Sequence, residues 1–196
     1  MERGLILKKG TIVDSTIISA PSSTKNKEKK RDPDAHQVKK GNTWHFGYKA
    51  HIGVDRGSGL VHTVEATAAN VHDATETSKL LTGDEDEVYG DSGYLGAEKR
   101  GDAIIRNKAG RKIKYRINRR PSQVKKLSKS GQYAAKKAEH TKSSVRAKVE
   151  HAFGVVKKQL RFRKTRYRGL EKQRAKFNIM FALANLIRAD RPCLAA

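Results

Sequence analysis

The chain has 196 residues, of which 36% are hydrophobic, and its 43 Lys and Arg against 20 Asp and Glu give a formal net charge of +23. This length suits one domain, or two small ones, with a modest core. A single cysteine, Cys193, excludes a disulfide scaffold, and the lack of a long apolar run or secretion signal excludes a membrane span and predicts a cytosolic protein.

The first third of the chain predicts three strands. Residues 11–18 are rich in β-branched side chains and predict a mostly buried strand. Residues 19–43 contain Pro, Ser, Asn and a run of charges, which predicts a mobile loop. Residues 44–55 alternate with period two, residues 55–59 form a turn, and residues 60–67 supply the returning antiparallel strand.

The middle of the chain mixes helices and short strands. Helical patterns cover residues 73–81 and 97–107, and residues 87–89 form a short apolar strand between them. Residues 112–117 predict one more strand. Strands and helices therefore alternate along this part of the sequence.

The last third predicts helices. Residues 121–138 form a basic, weakly patterned connection, residues 144–160 carry an apolar stripe at helical spacing, and residues 170–189 are apolar on most sides. The order of elements predicts one α/β domain over residues 1–196, with a mixed sheet flanked by helices.

The charge is unevenly distributed. Residues 1–98 hold 13 Lys and Arg against 15 Asp and Glu, whereas residues 99–196 hold 30 against 5, so the basic excess lies in the second half and includes a basic region at 108–142. Such an excess favours a polyanionic partner, and nucleic acid is the natural one. Ribosomal and chromatin proteins share this bias, so charge alone predicts a partner and no reaction.

Two aspartates stand out against apolar surroundings. Asp91, in the stretch GDSGY, follows the short strand at 87–89, where sheet-based sites collect their chemistry. Asp14 interrupts the apolar strand GTIVDSTII, where an ionised carboxylate is costly without compensation. The structural alternatives are a turn residue for Asp91, and for Asp14 a strand-end carboxylate satisfied by its neighbours.

A third carboxylate lies on a helix. Glu150 is spaced four residues after Arg146 and seven before Lys157, so the three side chains share one helical face. Taken alone, this is an ordinary exposed Arg–Glu pair. Together, Asp14, Asp91 and Glu150 provide oxygen ligands suited to one or two Mg²⁺ ions acting on a phosphodiester, with Arg146 and Lys157 on the DNA backbone.

In this order, GTIVDSTII, WHFGYKAHIGVD, ANVHD, GDSGY and R-x3-E-x6-K resemble the catalytic domain of bacterial insertion-sequence DDE transposases, specifically the insertion-sequence-five group. The resemblance spans roughly residues 4–190. It implies a ribonuclease H-like fold and a Mg²⁺ site, with Mn²⁺ as a substitute, formed by Asp14, Asp91 and Glu150. It also implies cleavage at transposon ends and joining of the freed 3′ hydroxyl to target DNA.

The same resemblance implies partners and a location. Double-stranded DNA would be contacted by Arg146, Lys157, Lys49, Arg161 and Arg163, the active form would be a homo-oligomer, and the protein would lie in the bacterial cytoplasm with the nucleoid.

The chain departs from the family pattern in two ways. The family often has Tyr where this chain has Ser143. Family members also usually carry a helical region before the first catalytic Asp, so we expect the chain to be the catalytic portion of a longer protein. The two alternative functions are an inactive DNA-binding remnant and a related nuclease that cuts without joining.

Other prominent residues favour structural roles. Trp44 is predicted in the core rather than as a base-stacking platform, and residues 85–87 are predicted as a solvated acidic turn. Asp73 precedes a helical pattern and is predicted as its N-cap rather than as a ligand. His51 and Asp55 share a strand face with Lys49 and either approach the catalytic edge or face solvent. No pair among the seven histidines has the spacing of a closed zinc motif.

Overall fold

Six strands form one curled mixed sheet in the computed structural model, which describes residues 9–189. Helices flank this sheet, so the predicted α/β class and its ribonuclease H-like architecture are confirmed. No helix among the described residues is long and apolar enough to cross a membrane. The strands are β1 (Gly10–Ser19), β2 (His36–Lys40), β3 (Thr43–Asp55), β4 (Val61–Ala68), β5 (Glu87–Gly90) and β6 (Lys114–Ile117).

The sheet order places β1 at its centre. The strands run in the order β2, β3, β1, β5, β6, and β4 pairs with the second part of β3. β1 is antiparallel to β3 and parallel to β5, and β5 is parallel to β6. The carboxyl ends of β1 and β5 therefore lie at the same edge of the sheet, where open α/β sheets place their ligands.

Three α-helices and several shorter helical segments surround the sheet. β-Branched and alternating side chains explain β1 and β3, and Ser128 caps the long helix by accepting a hydrogen bond from Gly131 N–H. The α-helices are α1 (Pro121–Lys125), α2 (Lys129–Gly154) and α3 (Leu170–Ala189). The 3₁₀-helices are Asp73–Glu76, Ser78–Leu80, Ser92–Tyr94 and Ala97–Lys99, and a π-helix spans Val155–Gln159.

The apolar core has one cluster on each face of the sheet. On one face, Ile12, Ala50 and Ile52 pack against Phe153 of α2 and Phe181 of α3. On the other, Val13 of β1 and Val88 of β5 pack with the 3₁₀ segments and the chain around residue 113. β1 and β5 are thus covered on both faces, which fixes the edge where they end.

Several sequence predictions about element type are wrong. Residues 97–107 form only the short 3₁₀-helix Ala97–Lys99, because Arg100 is extended and a turn follows at Gly101. The 73–81 segment is two 3₁₀-helices. The predicted loop at 19–43 contains β2, which pairs with β3.

The prediction of a weakly patterned connection at 121–138 is also wrong, because these residues belong mostly to α1 and α2. Its Ala and Lys residues favour a helix intrinsically, but most of its side chains are exposed, so no apolar stripe marked it in the sequence.

A buried hydrogen bond ties the 31–35 segment to the sheet and to the start of α3. Tyr48 Oη donates to Asp32 Oδ2 at 2.5 Å, and Gly169 N–H donates to the same oxygen at 3.1 Å. Tyr48 is 0% and Asp32 4% exposed. Burial and the neighbouring Asp32 carboxylate raise the pKa of Tyr48, which keeps the hydroxyl a donor.

We expect Tyr48→Phe to lower the free energy of unfolding by about 2–4 kcal/mol, because it leaves a buried carboxylate without its strongest donor. Urea unfolding measures this change. Tyr133→Phe is the matched control, since Tyr133 is 76% exposed. Equal unfolding midpoints for the two variants would contradict a stabilising role for the Tyr48–Asp32 bond.

Candidate active site

Asp14 lies in the middle of β1, beside the point where β5 ends, and its pKa is strongly raised. Its side chain is 14% exposed, it accepts Ser15 N–H at 2.7 Å, and Arg146 Nη2 lies 3.2 Å from its Oδ2. The pKa of Asp14 is raised to about 6: burial is the largest cause and the nearby Asp91 charge adds to it, while Arg146 and the Ser15 N–H oppose the rise. Ser15 and Arg146 do not offset the cost of burying this carboxylate. The structural alternative, a carboxylate satisfied by its neighbours, therefore does not describe Asp14.

Asp91 follows β5 directly beside Asp14. The parallel register pairs Ile12 with Tyr89, and continuing it by two residues brings Asp14 opposite Asp91. Asp91 caps the 3₁₀-helix Ser92–Tyr94 by accepting Gly93 N–H at 2.8 Å. The turn interpretation of this residue is therefore confirmed, whereas its role in a site stays a prediction.

The glycines of GDSGY are needed for space. Neither Gly90 nor Gly93 has a positive φ. A Cβ on Gly93 would lie 2.9 Å from Asp91 Oδ1, and one on Gly90 would lie 3.0 Å from Ile117 and 3.1 Å from Tyr94. Side chains here would displace the carboxylate or the packing that holds it.

Glu150 faces the two aspartates across a cavity of about 450 Å³. It is exposed on α2, one turn after Arg146, and Lys157 follows in the π-helix. π-Helical segments are rare and concentrate at functional sites. We call this space the acidic cavity. Its lining residues are Asp14, Ser15, Thr16, Lys40, Asp91, Arg146, Glu150, Phe153, Gly154, Lys157 and Lys158.

The three carboxylates share this cavity without being gathered into a metal cluster. Within residues 9–189, no group of three or more Asp, Glu, His or Cys side chains is close enough together to hold a metal ion. The donor chemistry nevertheless fits a hard divalent cation, because carboxylate oxygens are its preferred ligands. The repulsion between Asp14 and Asp91 is one that such a cation would neutralise.

Asp73 is a fourth carboxylate near Asp14 and Asp91. The prediction that it is the N-cap of a helix is wrong. The residue that caps Asp73–Glu76 is His72, whose side chain accepts Ala74 N–H. Asp73 Oδ1 instead accepts from Ser15 Oγ at 2.8 Å and from Lys49 Nζ at 3.0 Å. With Asp14, Asp91 and Lys49 it lines a second cavity of about 220 Å³ that adjoins the first.

Lys49, which was expected to contact DNA, is only 8% exposed. Its ammonium group donates to Asp73 and to the carbonyl of Val71 at 2.7 Å. This geometry suits the positioning of Asp73 better than a contact with a phosphate.

His51 and Asp55 are buried at 0% and 1% exposure, so the solvent-facing alternative is wrong. Burial lowers the pKa of His51 to about 4, despite the nearby Asp73 carboxylate. His51 is therefore neutral at pH 7 and adds no positive charge behind the aspartates.

Arg161 and Arg163 lie outside the acidic cavity. They line a separate cavity of about 820 Å³ that is rich in cations and contains the half-exposed Tyr167. Arg163 Nε donates to the carbonyl of Lys157 at 3.0 Å, which joins this basic cavity to the π-helix. Its lining residues are Pro21, Leu160, Arg161, Phe162, Arg163, Lys164, Thr165, Arg166, Tyr167, Lys176 and Met180.

Three features of the structure were missed or misplaced in the sequence analysis. Lys40 lines the acidic cavity from β2, which the sequence assigned to a loop. Trp44, predicted in the core, is 64% exposed. The predicted acidic turn is also wrong at Glu85, which is 0% exposed and accepts from Thr82 and Gly83 backbone N–H groups and from Thr11 Oγ1.

The model of a family described as the transposase DDE domain matches residues 6–186 of this chain. The matched range contains the three carboxylates that line the acidic cavity. No solved structure matches the chain.

Proposed function

The chain belongs to the transposase DDE domain family, and from this premise we propose that it cleaves transposon-end phosphodiesters and joins the freed 3′ hydroxyl to target DNA. One observation carries the proposal. Asp14, Asp91 and Glu150 line one cavity together with Arg146 and Lys157, so carboxylates and cations converge on a single space. A phosphodiester reaction needs both kinds of group.

Asp14, Asp91 and Glu150 are the residues that would hold Mg²⁺, or Mn²⁺ in its place. When bound, such ions activate a water or hydroxyl for attack on phosphorus and stabilise the leaving oxygen. Asp14 and Asp91 are held by β1 and β5, the two strands covered on both faces, which gives this half of the site a rigid base. Glu150 is exposed on α2 and supplies the adjustable third carboxylate.

The cations of the cavity are suited to the DNA backbone. Lys157 is half-buried, and both burial and the nearby Lys40 charge lower its pKa. A phosphate between Lys40 and Lys157 would relieve their repulsion, because each ammonium would gain an opposite charge. Arg146 holds Asp14 in place while the substrate is absent.

We further propose the finer assignments that the sequence motifs favour. These are membership of the bacterial insertion-sequence-five group, duplex DNA at transposon ends and target as substrate, and a homo-oligomeric active form. An inactive remnant would keep the basic cavity and bind DNA without cutting it, and a nuclease would cut without joining.

Two assays with the wild-type chain test the proposal. Supercoiled plasmid should be nicked in Mg²⁺ or Mn²⁺ and left intact in EDTA. Pre-cut donor ends bearing a 3′ hydroxyl should be joined to the plasmid under the same conditions. DNA binding without nicking in either metal would support the remnant, and nicking without joining would support the nuclease.

The basic cavity predicts a salt-dependent contribution to DNA affinity. Arg161→Ala combined with Arg163→Ala should reduce the log–log salt slope by roughly 0.9 for each phosphate that the variant no longer neutralises. At 0.15 M salt this corresponds to roughly fivefold weaker binding per phosphate. Fluorescence anisotropy with a labelled duplex measures both quantities.

The matched control also removes two positive charges, but from the segments that pack on the other face of the sheet. Lys99→Ala combined with Lys112→Ala changes two exposed cations there. An equal fall in slope for the two double variants would mean that net charge, rather than the basic cavity, sets the affinity.

A further inference from the structure

Trp44 is a large aromatic side chain that the β2–β3 hairpin presents to solvent. It is the only tryptophan of the chain and is 64% exposed. It shares the alternating face of β3 with Tyr48, Ala50 and Ile52, which are all buried. Trp44 extends that apolar face beyond the point where the core ends.

The turn of the β2–β3 hairpin lies at the acidic cavity. Ile52 pairs with Asp14, and Thr43 lies nine residues earlier in β3. In a straight strand Thr43 would be about 30 Å from that point. Its partner Lys40 nevertheless lines the cavity with Asp14, Asp91 and Glu150, so the hairpin curls over it.

Two lysines lie close to Trp44 along the hairpin, and cross-strand pairing puts the Lys39 side chain on the same face of the hairpin as the indole. Lys39 is the cross-strand partner of Trp44, and Lys40 follows at the turn, where Gly41 has a φ of 60°. Lys39 and Lys40 also line the smaller acidic cavity. No Asp or Glu occurs in the sequence between Asp34 and Asp55.

This combination of groups selects one class of partner. A second copy of the chain would bring a net charge of +23 against this basic hairpin, so we expect the proposed homo-oligomer to form through another surface. An aromatic ring flanked by cations instead complements a polyanion that carries flat aromatic groups, which is the chemistry of nucleic acid.

We propose that Trp44 stacks on an unpaired nucleobase of DNA whose backbone enters the acidic cavity, with Lys39 and Lys40 on the adjoining phosphates. Only an unpaired or terminal base offers a free face, because bases inside a duplex are stacked on both sides. The hairpin thereby recognises the distorted or open DNA next to the bond to be cut. This inference rests on the proposed function for the identity of its ligand.

The test uses the fluorescence of Trp44 in the 196-residue chain, with EDTA present so that binding is measured apart from cleavage. One probe is a duplex with a two-nucleotide overhang, and the second is the same duplex with abasic sites in the overhang. The two probes carry equal charge. The overhang with bases should quench the fluorescence, and the abasic probe should do so weakly.

Affinity measurements with variants complete the test. Trp44→Ala should weaken binding of the base-containing overhang by roughly 5- to 150-fold, the range of one aromatic–base stacking contact. It should leave the abasic probe's affinity unchanged. Tyr133→Ala is the matched control, because Tyr133 is an exposed aromatic on α2, and it should affect neither probe.

Three results would overturn the inference. These are equal quenching by both probes, equal weakening of binding to both in Trp44→Ala, and a concentration-dependent shift of Trp44 emission without DNA, which would indicate contact between copies. Base-dependent quenching in a chain that fails to nick DNA would leave this inference standing while the proposed catalytic function fails.

Discussion

Asp14→Asn should raise the free energy of unfolding at pH 7 while abolishing plasmid nicking. Burial raises the pKa of Asp14 from 3.8 to about 6, so the folded protein carries the cost of ionising this group at neutral pH. Since one pKa unit corresponds to about 1.4 kcal/mol, we expect a gain on the order of 3 kcal/mol. The neutral amide removes that cost and also removes one carboxylate of the proposed metal site.

The sign of the pH dependence follows from which state binds the proton more tightly. Below pH 3.8 the carboxyl is protonated in both states and has no effect on stability. Between pH 3.8 and about 6 the folded state holds more protons than the unfolded state, so the wild type loses stability as the pH rises. Above about pH 6 both states are ionised and the loss is complete.

The gain from Asp14→Asn should therefore be present at about pH 7 and disappear at about pH 3.5, measured by thermal unfolding at both values. Asp102→Asn is the matched control, because the Asp102 side chain is 47% exposed, and it should change the pH profile little. A wild-type protein that gains stability between about pH 4 and pH 6 relative to Asp14→Asn would contradict the raised pKa.

A higher free energy of unfolding in Asp14→Asn would show that the ionised Asp14 carboxylate costs the free protein stability. A residue that destabilises the free protein is retained where a ligand uses its charge, and a cation that binds only the folded state would stabilise that state by RT ln(1 + [L]/Kd). The chain places Asp14 next to Asp91 although the Asp91 charge disfavours the ionised form of Asp14. We take this arrangement as the strongest physical sign of a functional site in this fold.

The central part of this fold could be predicted from the sequence because its signals are local. β-Branched residues indicated β1, the two-residue alternation indicated β3, and the apolar pattern at 170–189 indicated α3. The helical spacing of Arg146, Glu150 and Lys157 placed them on one side of α2 and its π-helical extension. All three line the acidic cavity.

The surroundings of the site could not be predicted because they depend on long-range contacts. The bonds from Asp73 to Ser15 and Lys49 join residues that are 58 and 24 positions apart. β2 is short and mostly exposed, so only its pairing with β3 defines it. Trp44 continues the alternation of the buried face, but it lies beyond the part of β3 that the core covers.

Glu150→Gln should reduce plasmid nicking by about 10³-fold or more, because it removes one carboxylate where several kcal/mol of transition-state stabilisation are supplied. Glu150 is exposed on α2 and Gln has nearly the same size, so the fold and the DNA-binding surface should persist. Joining of pre-cut ends should fall equally, because the proposed function assigns both reactions to the same cavity.

Glu171→Gln is the matched control, since the Glu171 side chain is 83% exposed near the start of α3 and lines neither the acidic nor the basic cavity. It should nick and join at wild-type rates. Both variants should retain DNA with wild-type affinity in EDTA. If Glu150→Gln kept its cleavage rate, the proposed ligand set would be wrong, and Asp73 would be the next carboxylate to substitute, because it lines the adjoining cavity together with Asp14 and Asp91.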